Sequence, residues 1–565
     1  MRISFQFPAI VASEATRAIR RRSLMLAVVG IAVLPLAWRG TSCGQDFDFH
    51  LQNWLETARS WHQGVLNPHW AASANYLAGE PRFVFYPPLS RFLGAALGCV
   101  LPWAWTPLAF VLVALLGAAW SFRAMAREWA GDDNAAVAAC LYVLNPYMMF
   151  LVYERAALAE LLAAVWIPLL VLYGLRQAKS WLPLTLTVAA VWLTNAPAGV
   201  MGCYLLALLV AVAAVQQRSW KLVARAACAV PLGLGLAAYW LAPAIYEQRW
   251  VQIDRAIGPL MRVQDSFLFG YARLAGSPDE LFDLNYHNQV LRLASWVVVA
   301  LMVASLICAW IARRRKSPVW LPLVVAGAAV CALQFRFRWS GMVWRLAPKL
   351  EFLQFPWRWM LVLGMIFAAL AGLALARGFP TRRTLAVRAL VLLVLAGGMA
   401  AFASKAFWQV CDDEDNVQAQ RTTFQQTGFA GTDEYTPVGA DSDPPETGPQ
   451  VRVESGSFGD IALPAEVKIE RWKTEHMEFQ VKSPAPGYAI LRLMDYPAWG
   501  VTRNGMEGTT TPRSDGWMAI PIEAGSNEID VQWRTTWDAW AGLGISFLAV
   551  MITLAFGRGD PRRRA

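Results

Sequence analysis

Residues 20–40 read RRRSLMLAVVGIAVLPLAWRG: three arginines, then a run from Ser23 to Trp38 without one charged side chain. A cleaved signal peptide shows a similar pattern. Here the basic stretch, residues 1–22, is long for one, and Gly40 stands three residues before Cys43, where a lipoprotein signal has Leu. The segment therefore reads as an uncleaved first transmembrane helix with its basic end inside.

Working outward, eleven more apolar runs follow, at about 104–123, 134–151, 157–175, 182–195, 197–216, 225–244, 292–312, 318–335, 356–376, 385–404 and 538–556. Each is near the ~20 residues that span a bilayer core. Basic residues mark the turns between them: five in 1–22, Arg123 and Arg127, Arg176 and Lys179, three in 218–225, Arg313–Lys316, four in 377–388 and four in Arg558–Arg564. All seven clusters fall on one side if the chain crosses twelve times with both ends inside. Counting the short apolar stretch 89–102 as a span would reverse every later loop. It reads instead as a helix lying at, or dipping into, the outer interface.

Composition agrees. Of 565 residues, 56% are hydrophobic and 16% charged, with mean hydropathy +0.36, against about 45–50% and 25% in soluble domains. A soluble globule and a disordered chain are both excluded. The net charge of +10 and pI near 9.3 do not point to nucleic acid, because the charge is partitioned. Residues 411–536 hold 21 acids and 10 bases, a net of −11, and the rest hold 19 acids and 40 bases, a net of +21.

The outside then holds residues 40–103, 245–291, 336–355 and 405–537. The last is long enough for a domain. Glu478–Val481 and Ile490–Met494 look alternating, and Asn504-Gly505 is a hairpin turn signal. The expected architecture is mainly α: a polytopic bundle of about twelve transmembrane helices in 1–404 with external loop 40–103. An antiparallel β-sandwich in 405–537 follows, with an irregular lead-in at 411–450, then a last helix and basic tail in 538–565. Six of the eight cysteines lie in apolar runs. Cys43 and Cys411 each follow the exit of such a run; their positions allow a disulfide, though spacing does not show that they meet.

Chemistry-bearing residues gather on the outer side. GQDFDFH (44–50) puts Asp46, Asp48 and His50 just after the first span. A carboxylate there suits a general base or a divalent metal such as Mg or Mn; a helix cap is the structural alternative. The same loop ends in GEPRFVFYPPLS (79–90), with Arg82 among aromatics. Glu154 and Arg155 fall at the outer surface, and Glu160 lies inside the next apolar run, where a carboxylate is a ligand or is paired with a cation such as Arg155. Arg336, Arg338, Arg345 and Arg358 form an external edge that breaks the positive-inside trend. Phosphate ligands suit paired arginine donors; lipid headgroups or local acids are the alternative. No P-loop, GxGxxG after a strand, HExxH or GxSxG elbow occurs.

GQDFDFH, GEPRFVFYPPLS, NPY…YERAALAELLA (145–163) and LQFPWRWM (353–360) together resemble a family of bacterial multi-pass proteins named "6-pyruvoyl-tetrahydropterin-synthase-related". This family is GT-C glycosyltransferase-like and akin to YfhO-type proteins. DYPAWG (495–500) with Asn504-Gly505 is similar to the C-terminal β-domain of that group. The pterin wording implies no activity here, since no zinc-binding His cluster is present. The resemblance implies sugar transfer from a polyprenyl-phosphate donor to a glycan, lipid or protein acceptor at the outer face of a bacterial inner membrane, with membrane lipids around it and no nucleic acid. In that scheme Asp46 or Asp48 is the base and His50 supports it. Arg155 and Arg358 face the lipid phosphate, with Arg336, Arg338 and Arg345 as further candidates. A transporter or flippase suits twelve spans equally, but no repeated halves are visible. A non-catalytic scaffold is the third class.

Overall fold

The computed structural model describes residues 7–176, 180–376, 381–441, 447–456 and 461–556. Of the basic clusters, Arg2, Lys179, Arg377 and Arg558–Arg564 lie outside the described residues. Each of the twelve expected spans has a helical counterpart. Among the described residues, seven helices are long and apolar enough to cross a membrane, or nine if two bent pairs each count as one span. The other three are Phe7–Ala32, which carries the arginine run, and the short helices Leu182–Thr194 and Trp320–Leu333. At 1.5 Å per residue these last two reach only about 20 Å, less than a full hydrocarbon core.

The two bends are placed by local chemistry. Asp132–Val143 and Pro146–Tyr153 meet at 43°. Between them the Asn145 side chain accepts from the backbone N–H of Tyr147 (3.0 Å) and Met148 (3.2 Å), and Pro146 follows at the first helical position. An Asn cap followed by proline starts a new helix, and this one ends at Glu154 and Arg155. Lys221–Leu236 and Ala238–Trp250 meet at 75°. The longest helix, Pro278–Ala312, has 35 residues and opens with a Ser277–Glu280 capping box; at about 52 Å it outruns the bilayer.

Residues 89–102 fall mostly in the helix Pro88–Val100, 13 residues long, which packs on Phe47–His62 of the same external loop and on Thr106–Ala130. The lead-in 411–450 is not wholly irregular. Asn416 caps a helix, Val417–Gln426, by accepting from two backbone N–H groups. Cys43 and Cys411 are joined by a disulfide.

The C-terminal β-domain has eight strands: β1 Val451–Glu454, β2 Glu466–Lys473, β3 His476–Ser483, β4 Gly487–Met494, β5 Trp499–Arg503, β6 Met506–Gly508, β7 Trp517–Ile522 and β8 Gly525–Trp533. They form two antiparallel sheets, β1-β4-β7 and β2-β3-β8-β5-β6. A shared core joins them, with Leu491, Leu493 and Ile520 from one sheet and Phe479, Val481 and Ile529 from the other. Asn504 and Gly505, both at positive φ, close the β5–β6 hairpin, as a primed turn requires. β3 alternates in burial as expected, but β4 does not. β4 is the middle strand of its sheet, and its outer face is covered too, with Ile490 packed beside Trp517 and Ala519. The domain also docks on the first external loop: Met494 N–H donates to Ala78 (2.9 Å), and His69 stacks on Trp533 (5.5 Å).

Candidate active site

The first loop is pinned directly after its span. Gly44 lies against the backbone at Glu154–Arg155, where a Cβ would overlap the Glu154 carbonyl oxygen. This is a close backbone approach that only glycine permits. Gln45 N–H then reaches the Glu154 carbonyl (3.4 Å) and Asp46 N–H the Arg155 carbonyl (2.8 Å). Asp46 precedes the helix Phe47–His62, yet its side chain makes no capping bond. Its Oδ2 instead accepts from Arg155 Nη2 at 2.9 Å. The reading of Asp46 as a helix cap is thereby corrected: the carboxylate is turned toward a cation.

Arg155 is a hub. Its Nη1 donates to Glu160 Oε2 (3.1 Å), and Tyr147 donates its hydroxyl to Glu160 Oε1 (2.6 Å). Arg358 Nε stands 3.6 Å from the same Glu160 oxygen, too far for a hydrogen bond. The Arg155 guanidinium lies over the Trp357 ring at 5.0 Å. Two carboxylates face two guanidinium groups, so the cluster is neutral at rest. It is not saturated, however. Nε of Arg155 and Nε of Arg358 are buried without an acceptor among the described residues, although buried donors are normally paired. The Asp46 side chain is 31% exposed, against 2% for Arg155 and 3% for Glu160, so the cluster is reached through Asp46.

His50 supports this arrangement. Its Nε2 accepts from Leu158 N–H (3.0 Å), which leaves the ring proton on Nδ1, 3.3 Å from the Tyr86 hydroxyl. Burial pushes its pKa down to about 4, so the ring is neutral at ordinary pH. With both nitrogens engaged, His50 is a positioning residue that fixes the start of the helix Leu158–Ala163. Asp48, the second residue of Phe47–His62, is exposed. Desolvation by the surrounding protein holds its carboxyl above the ordinary range, and the Asp46 charge adds to the effect. Glu154 is fully buried: Gln409 Nε2 donates to one oxygen (2.9 Å), while the other has no partner among the described residues. Burial pushes Glu154 up to about 7.

The remaining expected ligands lie elsewhere. Arg82 is 1% exposed and committed to Glu80 (2.5 Å), Asn53 (3.2 Å) and Thr432 (2.8 Å). It is a latch between the first loop and the lead-in to the β-domain, not a free phosphate donor. Arg336, Arg338 and Arg345 are exposed. Arg338 lies over its neighbour Trp339, and Arg345 donates to the Gly341 carbonyl of its own turn. Neither of these contacts reaches the cluster around Arg155. Reading the sequence missed Tyr147 and Gln409 as partners of the site's carboxylates. Tyr147 stands in the Asn-Pro-Tyr motif; nothing local marks Gln409, 255 residues from Glu154.

Two cavities adjoin the cluster. One, of about 250 Å³, is apolar and is lined by Leu36, Leu108 and Val111 together with Phe47 and Ala156, the chain neighbours of Asp46 and Arg155. The other, of about 310 Å³, is lined by Gln45 and Trp357, neighbours of Asp46 and Arg358, and by Asp283, Tyr286 and His287. Among the described residues no group of three His, Cys, Asp or Glu side chains that could hold a divalent metal such as Mg or Mn converges, and Asp46 faces the Arg155 guanidinium.

No family model and no curated protein matches the chain. Among solved structures, it is similar to ArnT from Cupriavidus metallidurans bound to undecaprenyl phosphate, at 15% identity and TM-score 0.41, over 72% of this chain and 68% of that one. It is similar to the arabinofuranosyltransferase AftD from Mycobacteria at 18% identity and TM-score 0.40, over 68% of this chain and 27% of that one. It is also similar to the oligosaccharyltransferase from Archaeoglobus fulgidus in complex with Zn and sulfate, at 14% identity and TM-score 0.38, over 77% and 60%. At these identities the likeness is one of chain course. The chain itself is a multi-pass, mainly helical membrane protein with a C-terminal β-sheet domain.

Proposed function

We propose that this chain is an integral-membrane glycosyltransferase of the GT-C type, akin to YfhO-like proteins. It would transfer a sugar from a polyprenyl-phosphate donor to a glycan, lipid or protein acceptor on the outer face of a bacterial cytoplasmic membrane, with both termini inside. One observation carries the reading. The partly open Asp46 carboxylate sits 2.9 Å from the buried Arg155, beside Arg358, with unused guanidinium N–H groups and two cavities lined by its chain neighbours.

The first cavity suits the first units of a polyprenyl chain, and the second, which also holds Gln45, Asp283, Tyr286 and His287, an acceptor. An acceptor hydroxyl oxygen attacks the anomeric carbon and forms the new C–O bond. The bond from that carbon to the phosphate oxygen breaks, and its electron pair stays on the departing polyprenyl phosphate. The hydroxyl proton passes to Asp46. Protonation removes the charge that holds Arg155, which frees its guanidinium as negative charge builds on the phosphate; Arg358 adds a second donor. A single displacement inverts the anomeric centre.

The disulfide supports the sidedness. Bonds of this kind persist in oxidising compartments, and this one joins the first loop to the lead-in of the β-domain. The test is incubation of purified protein with a panel of polyprenyl-phosphate sugars, followed by mass spectrometry of products. Transfer by the wild type, its loss in Asp46→Asn, and turnover that survives EDTA are the expected results. Full activity in Asp46→Asn, Asp48→Asn and the double variant sinks the assignment.

A further inference from the structure

The Asp495–Gly500 stretch, DYPAWG, plays no part in the cluster around Asp46. It connects β4 to β5 and lines a third cavity, of about 570 Å³, with Arg249 and Trp250 from the end of the bent membrane helix pair on the facing side. None of its lining residues is shared with the other two cavities. Its volume falls within the ~300–1,000 Å³ of small-ligand sites.

The cleft is a built surface. Tyr496 donates its hydroxyl to Glu247 Oε2 (2.5 Å), and its ring meets Trp250 edge-on at 5.6 Å and stacks on Trp533 at 5.7 Å. Trp499 stands edge-on to Trp533 at 5.2 Å. Gly500 leaves the space that Arg534 occupies, because a Cβ there would overlap the guanidinium. Arg534 Nη1 then donates to Glu507 Oε1 at 2.7 Å, and Thr510 donates to Asp495 Oδ2 at 3.1 Å.

Two features specify a ligand. Trp499 lines the cleft and is 93% buried by its 7% exposure, yet its indole N–H has no acceptor among the described residues. Buried indole N–H groups normally find one. The charges also cancel: Arg249 and Arg534 stand against Asp495 and Glu507. A net-neutral lining disfavours a phosphate or nucleotide. The half-buried Trp250, with carboxylate, hydroxyl and guanidinium groups around it, matches a sugar ring, whose C–H face lies on an aromatic and whose hydroxyls both donate and accept.

We propose that this cleft binds a neutral oligosaccharide at a subsite separate from the Asp46 cluster. The proposal does not depend on the transfer chemistry. The test uses the full chain in detergent or nanodiscs, titrated with neutral trisaccharides (maltotriose, cellotriose, mannotriose, chitotriose) and, separately, with inorganic phosphate. Saturation-transfer NMR and tryptophan fluorescence report binding. At least one trisaccharide is expected to saturate. Glu507→Ala, an exposed change that leaves the fold intact, is expected to weaken binding about tenfold, as is Trp499→Phe, which keeps an aromatic ring and removes the N–H. Asp46→Asn is expected to bind normally, so failure of the transferase reading leaves this result standing. No saccharide binding by the wild type, equal binding by both cleft variants, or displacement of the saccharide by phosphate at equal concentration overturns the proposal.

Discussion

Two buried ion-pair clusters meet on the first external loop, and they differ in how their donors are used. In the Glu80–Arg82 latch, Nε, Nη1 and Nη2 of Arg82 each have an acceptor, and Glu80 also accepts from Asn75 and from Thr432 N–H. In the Asp46–Arg155–Glu160–Arg358 cluster, guanidinium N–H groups remain unused and one carboxylate is partly open. Both are arginine–carboxylate assemblies in a protein interior. The latch spends its hydrogen bonds on holding the loop; the second cluster keeps some back. Burial therefore does not separate the two clusters, whereas the use of their donors does.

The sharpest way to break this comparison is to remove one charge from each cluster. Asp46→Asn should cut transfer by about 10²–10⁴-fold, the usual contribution of a general base, with a smaller loss of melting temperature than Arg82→Ala, because Glu160 still pairs Arg155. Product formation by mass spectrometry reads the first, and thermal unfolding in detergent the second. Asp48→Asn should lose far less; an equal loss would move the base to Asp48. Arg82→Ala should do the reverse, lowering stability by about 3–5 kcal/mol, because it strands the buried Glu80. The double change Glu80→Gln with Arg82→Met should recover part of that loss, and its failure to do so would mean the pair is not a closed unit.

Arg358→Ala sharpens the comparison within the cluster. Arg358 forms no hydrogen bond through Nε and stands 3.6 Å from Glu160, so its loss should cost little stability but about 10–100-fold in turnover. An Arg358→Ala variant with a collapsed melting temperature and normal turnover per folded molecule would make it a second latch.

A further test concerns pH. Glu154 has its pKa raised to about 7 by burial, above an unfolded value of ~4.3. Between these values the folded state binds the extra proton, so stability falls as pH rises from about 4.5 to 7 and then levels off. Glu154→Gln should therefore match the wild type near pH 4.5 and exceed it by up to about 3–4 kcal/mol at pH 8. Thermal midpoints across that range check it; a constant offset between the two proteins would remove the titration from the account.

Much of the fold is legible in one dimension. Hydropathy runs mark the spans, and alternation in β3 and the Asn504-Gly505 turn mark the β-domain. Legibility failed where β4, read as alternating, is buried on both faces, and where short polar helices such as Val417–Gln426 resemble loop. At the site, Asp46, Arg155, Glu160 and Arg358 stand out as residue types in unusual places, but Arg82 stands out equally. Its role differs only because Glu80, Asn53 and Thr432 occupy its donors.

The sequence by itself determined the membrane class, the two-part architecture and the loop that carries the acids, because hydrophobicity and turn chemistry act over a few neighbouring residues. Only the tertiary structure decided which charges meet. Arg155 reaches Asp46 across 109 positions, Gln409 reaches Glu154 across 255, and Cys43 joins Cys411 across 368. Hydrogen bonds act over about 3 Å, so partners so far apart in the chain are set by how the helices and the β-domain dock.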